Sequence, residues 1–113
     1  MRNTKKTRIT DKRIGLFCKA VAARYHPRRI TLFGSHAKGT ANPNSDVDLL
    51  IEMDRVHSGV GAAATIIGEI QPTFSVDLLI RTPRQLRERV KQGDAFLAEV
   101  VRTGKVLYEA PDR

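Results

Sequence analysis

Hydrophobic positions change period along this chain, and the changes mark its elements. Ile14, Phe17, Cys18 and Val21 recur at three-and-four spacing and predict a helix that Thr10 caps, with Asp11 complementing its dipole and Pro27 following Tyr25 and His26. Ile30–Phe33 is a short β-branched and aromatic run, and Asp46–Ile51 is a second, so two strands are expected. The period of two puts Asp46, Asp48 and Leu50 on one face of the second strand and Val47, Leu49 and Ile51 on the other. Beyond its aspartates this strand is apolar on both faces, which predicts a central place in the sheet. Thr40–Ser45 is a turn-rich loop leading to Asp46.

The second half repeats the alternation of elements. Val60–Ile70 suits a helix with Ala64, Ile67 and Ile70 inward, although Gly59, Gly61 and Gly68 weaken it and Pro72 ends it. Thr73–Ile80 reads as a third strand carrying Asp77. Thr82-Pro83 opens a helix with Leu86 and Val90 as its inner stripe among Arg84, Arg87, Arg89 and Lys91. Asp94 caps a last helix with Phe96, Leu97, Val100 and Val101 inward and Gly104 as its stop, and Lys105–Tyr108 is a short final strand. This order predicts an α/β domain with a small mixed sheet flanked by helices.

At 113 residues the chain is expected to be one domain, residues 10–113, behind a disordered basic arm at residues 1–9. Neither a membrane-crossing run nor a secretory leader is expected, which suggests the cytoplasm. Cys18, the single cysteine, excludes an internal disulfide and reads as a buried structural thiol. The net charge of +8 permits attraction to nucleotides, nucleic acid or an acidic partner without choosing among them. The N-terminal run of Arg2, Lys5, Lys6, Arg8, Lys12 and Arg13 is more simply a solubilising tail than a nucleic-acid contact.

Chemistry concentrates between Gly34 and Asp48. Two like charges on one strand face repel, and a divalent cation is the simplest offset; magnesium takes one or two carboxylates completed by water and substrate phosphate. A lone Asp-x-Asp is more often a solvated strand end. Here Gly34-Ser35 follows the first strand, where glycine lets the backbone approach a ligand, serine adds a hydroxyl, and a short helix opened by Ser35 would offer free N–H groups to an anion.

Gly34-Ser35, Gly39 and Ser45-Asp46-Val47-Asp48-Leu49 together resemble the signature of the DNA polymerase beta-like nucleotidyltransferase superfamily. The short chain resembles its minimal, antitoxin-type branch. The resemblance implies that fold, Mg²⁺ as cofactor and ATP as substrate. It implies Gly34, Ser35, His36 and Lys38 as nucleotide-binding residues, Asp46 and Asp48 as metal ligands, and Asp77 as the third carboxylate that completes the site. His36 and Lys38 stand where the family often has arginine; Lys38 keeps the charge, His36 does so only at lower pH, and the plainer reading leaves His36 on the exposed side of a short helix. Alone, Asp77 reads as a structural strand residue.

The resemblance further implies transfer of AMP to a hydroxyl, such as a tyrosine, of a separate HEPN-type toxin. The alternative is a non-enzymatic partner acting by contact. Nucleic-acid binding through the arm and the Arg84–Lys91 helix lacks interleaved aromatics and ranks last.

Overall fold

The structure, a computed structural model, describes residues 9–111. The expected basic arm lies outside the described residues except for Ile9, which packs part-buried against the core. Helix α1 (Asp11–Tyr25) begins where the Thr10 side chain accepts a hydrogen bond from the Arg13 N–H, and it buries Ile14, Phe17, Cys18 and Val21. His26 closes it in the left-handed conformation and donates its N–H to the Ala22 carbonyl. Burial pushes the Cys18 thiol up to about 11, as befits a thiol in the core.

Strand β1 (Arg29–Phe33), helix α2 (Ser35–Lys38), strand β2 (Val47–Glu52), helix α3 (Gly59–Ile70) and strand β3 (Val76–Arg81) follow. Helices α4 (Pro83–Lys91) and α5 (Ala95–Thr103) then lead into strand β4 (Lys105–Glu109). The described strands form one mixed sheet in the order β3-β2-β1-β4, with β1 antiparallel to both neighbours and β2 parallel to β3. A parallel pair needs a crossover, and α3 supplies it.

Alternation along β2 separates two cores. Val47, Leu49 and Ile51 join Ile30, Leu32, Leu78 and Ile80 under α1 and α3. Leu50 points the other way, to Leu86, Leu97 and Val100 of α4 and α5, with Phe33, Leu79 and Val90 at the margin. Each fully buried aliphatic side chain contributes roughly 1.5–3 kcal/mol, so β2 is held from both sides and its aspartate-bearing end is fixed by packing further along.

Three expectations need correction. In α3 the residues turned inward are Ala62, Ala63, Ile66 and Ile70, while Ala64 and Ile67 are exposed. Small and apolar residues fill this helix almost continuously, so period alone does not select a stripe. Its rotation is set at its start, where Ser58 caps the Gly61 N–H and a Cβ on Gly59 would stand 3.0 Å from the Ile80 carbonyl oxygen. In α5 only Leu97 and Val100 are buried; Phe96 and Val101 are 57% and 53% exposed. A short outer helix lying over Leu50 buries a narrower stripe than the spacing suggested. Finally, β3 begins at Val76 rather than Thr73, because Arg13 holds the preceding segment: its guanidinium donates to the Thr73 carbonyl and hydroxyl at 3.1 and 2.9 Å and lies over the Phe74 ring.

Candidate active site

The sheet registers bring together residues far apart in sequence. Phe33, at the end of β1, pairs with Asp48, and Asp48 pairs with Asp77 across the parallel β2–β3 ladder. Neighbouring strands lie about 4.8 Å apart, so in-register side chains share one face. Asp46 precedes β2 by one residue and, two positions before Asp48, belongs to that face. Asp46 and Asp77 are exposed and Asp48 is half-buried.

These carboxylates are left uncompensated. None of the three accepts a hydrogen bond or forms an ion pair with another described residue. Burial, then the charge of Asp77, then that of Asp46, hold the Asp48 carboxyl above the usual carboxylate range, with His36 acting in the opposite sense. Glu52, at the other end of the same strand face, is the useful contrast. It is more deeply buried, but the fold gives it Arg29 at 3.7 Å, so its charge has an internal partner. The fold sets a guanidinium beside this carboxylate, though burial still raises its pKa, and pairs no described cation with the aspartates.

Among the described residues no three His, Cys, Asp or Glu side chains converge closely enough to enclose a metal ion unaided. Magnesium does not require that, since it is commonly held by one or two carboxylates completed by water and phosphate oxygens. Paired Asp48 and Asp77, with Asp46 beside them, fit that demand through oxygen chemistry and unmatched negative charge.

Gly34 turns the chain away from β1 at φ 76° and ψ −156°, a combination essentially reserved for glycine. A Cβ there would come within 2.3 Å of Asp48 Oδ2, so the bare Gly34 backbone lies against the carboxylate. Ser35 opens α2, and its hydroxyl has no partner among the described residues. Lys38 is exposed at the end of this short helix.

His36 is not on the exposed side of α2. It is part-buried, and its Nε2–H donates to the Ser45 carbonyl at 3.2 Å, tying the helix to the residue before Asp46. The loop between them is pinned again by the Asn42 N–H donating to Ser45 Oγ and the Asn44 N–H donating to Asn42 Oδ1. His36→Ala is therefore expected to cost about 0.5–1.5 kcal/mol and to speed amide exchange at Ser45 and Asp46, whereas His36→Gln, which keeps a donor, restores protection. Equal exchange in the parent and the alanine variant would show that this hydrogen bond does not hold the loop.

A recess of about 550 Å³ borders Asp46 and is lined by Arg13, Pro43, Ser45, Phe74 and Ser75 among others. Another of about 490 Å³ lies at the opposite end of the sheet, where Arg29, Glu52, Leu86, Arg87 and Val90 meet. The latter lies at the wrong end of β2 to serve the three aspartates. On the aspartate face, Phe96 of α5 packs edge-on against Phe33, with ring centroids 5.7 Å apart. Sequence reasoning placed Phe96 in the core and gave Phe33 no part in the site. Neither could have been placed without the β1–β2 register.

Comparison with known proteins agrees with this fold. A solved nucleotidyltransferase candidate from Sulfolobus solfataricus superposes with a TM-score of 0.61 at 18% identity, over 87% of this chain and 78% of that one. A toxin–antitoxin structure with AMP-PNP superposes with a TM-score of 0.56 at 22% identity, over 85% of this chain and 73% of that one. At these identities the likeness is one of fold. None of the curated proteins matches. The model of the nucleotidyltransferase domain family matches residues 14–107, nearly the whole chain. With its mixed sheet and the order of its elements, the chain belongs to the nucleotidyltransferase domain family.

Proposed function

We propose that this protein transfers a nucleoside monophosphate, AMP from ATP, to a hydroxyl of a separate partner protein, and that it acts in this way as the antitoxin of a toxin–antitoxin pair. The observation that carries the reading is the juxtaposition of Asp48, Asp77 and the bare backbone of Gly34, with no ion pair to the carboxylates among the described residues. Nucleotidyl transfer needs oxygen ligands for a divalent ion next to space for a phosphate chain. Asp46, Asp48 and Asp77 offer the oxygens, and the Gly34-Ser35 turn lies directly against Asp48.

In this reading Asp46 and Asp48 hold Mg²⁺ with help from Asp77, and the ion supplies neutralisation of charge on the triphosphate and the transferred group. Gly34 lets the turn pass directly against the Asp48 carboxylate, and the free Ser35 hydroxyl donates to a phosphate oxygen. Lys38, exposed nearby, adds positive charge toward the tail. The acceptor oxygen attacks the α-phosphorus; the new P–O bond forms as the bond to pyrophosphate breaks. Asp77, exposed and on the carboxylate face, takes the acceptor's proton.

The acceptor is proposed to be a tyrosine hydroxyl of a HEPN-type toxin. One point supports a partner of this kind: a neighbour of similar fold is a toxin–antitoxin structure with AMP-PNP. Among the described residues no helix is long and apolar enough to cross a membrane.

Asp77→Asn tests the assignment. Nucleotide and metal binding persist through Asp46 and Asp48, while activation of the hydroxyl is lost. Incubated with labelled ATP, Mg²⁺ and the toxin, the variant is expected to bind ATP by calorimetry and to add no nucleoside monophosphate to the partner, read by intact mass. A parent protein that leaves its partner unmarked yet fully inhibited would establish antitoxin action by contact alone.

A further inference from the structure

Of the chain's four phenylalanines, three have an evident structural use. Phe17 is buried and packs edge-on with Phe74, Phe74 also lies under the Arg13 guanidinium, and Phe33 sits at the margin of the core around Leu50. Phe96 is different: it is 57% exposed, and its recorded ring contact is with Phe33 at an interplanar angle of 76°. An apolar ring left more than half in water contributes little to the fold, so its position is the informative feature.

That position follows from the registers. Phe33 is the cross-strand partner of Asp48 and the residue before Gly34, so a ring resting on Phe33 lies one side chain away from the carboxylates and from the turn proposed to take the phosphates. The start of α5, where Phe96 sits, is fixed as well, because the Asp94 carboxylate accepts from the Leu97 N–H at 3.0 Å and from the Arg89 guanidinium at 2.9 Å. Phe96 is thus an aromatic surface on a firmly capped helix start, beside the strand end that carries the aspartates.

We propose that Phe96 is the platform on which the base of the bound nucleotide stacks, deepening and resting on the nucleotidyl-transfer reading above. The nucleoside hangs from the α-phosphate, and the α-phosphate must lie at the aspartates for transfer to occur. The base therefore falls within one sugar of that point. Phe33 braces the ring from its edge, and a π surface accepts any base by stacking without reading its hydrogen-bonding edge. The platform accounts for how a nucleoside is oriented in a chain of this size, and it predicts weak discrimination between purine triphosphates.

The test separates the base from the phosphates. Calorimetry in the presence of Mg²⁺ is carried out with ATP and with inorganic tripolyphosphate, on the parent, Phe96→Ala and Phe96→Trp. Phe96→Ala is expected to weaken ATP about tenfold and to leave tripolyphosphate unchanged. Phe96→Trp, which can keep the contact with Phe33, retains ATP affinity, and its fluorescence is quenched by ATP but not by tripolyphosphate. Undiminished ATP binding by Phe96→Ala, with the parent binding ATP, overturns the platform and leaves the transfer reading intact. Equal weakening of both ligands also overturns it, by showing that Phe96 merely supports Phe33 and the Gly34 turn. A parent that binds neither ligand overturns the transfer reading and the platform with it. If the alanine variant does not fold, the tryptophan variant decides alone, because fluorescence indifferent to ATP at saturation rejects stacking.

Discussion

Replacing Asp48 with asparagine is expected to lower nucleotidyl transfer by at least about a thousandfold while raising the melting temperature at neutral pH. The two effects share a cause. Asp48 is the most buried of three carboxylates that have no ion pair or hydrogen bond among the described residues, and burial, Asp77 and Asp46 oppose its ionised form more than His36 favours it. The amide has nearly the same shape and no charge, so it relieves the repulsion and leaves the strand's packing alone. An acid whose folded-state pKa lies above its unfolded value binds its proton more tightly in the folded chain. Its stabilising contribution is therefore complete below the unfolded pKa and is lost as pH rises through the folded one. Parent and variant should melt alike in acid and diverge as the pH is raised past the ordinary carboxylate range, with the asparagine variant the more stable. Melting curves across that range, taken alongside transfer rates, check both halves. A variant that melts lower than the parent at neutral pH would mean that Asp48 is a structural carboxylate.

Much of the fold was legible because it depends on local signals. Thr10 and Asp94 cap their helices as expected, and Thr82-Pro83 opens α4 as expected, with Thr82 forming a full capping box to Gln85. The alternation through Val47–Ile51 correctly divided two cores. Where local signals were degenerate, the reading slipped. The near-continuous apolar run from Val60 to Ile67 left the face of α3 undetermined, and the pattern of α5 allotted Phe96 and Val101 to a core that has no room for them. The registers pairing Phe33 with Asp48 and Asp48 with Asp77 are set by which strands meet, and no spacing within one segment contains that information. Sequence reasoning could therefore nominate Asp46, Asp48 and Asp77 but could not say that the tightest juxtaposition is between Asp48 and Asp77, nor that His36 holds the loop before Asp46.

Gly34→Ala should be strongly destabilising, through two separable causes. The first is conformational: φ 76° with ψ −156° is a region that a residue with a Cβ enters at a cost of about 1–3 kcal/mol. The second is steric, since the new Cβ would stand 2.3 Å from Asp48 Oδ2 and 3.2 Å from its Cγ, and one of the two side chains must move. Only the second depends on Asp48. In an Asp48→Ala background the carboxylate is gone and the remaining neighbour, the Asp48 Cβ, lies at an ordinary 3.4 Å. Gly34→Ala should then cost less than in the parent, with a coupling between the two positions of about 0.5–3 kcal/mol in a double-mutant cycle by chemical denaturation. The backbone part stays in both backgrounds. If the two costs are equal, the turn does not press on the carboxylate, and the close approach that brings the phosphate space to the metal ligands is not a property of the folded protein in solution.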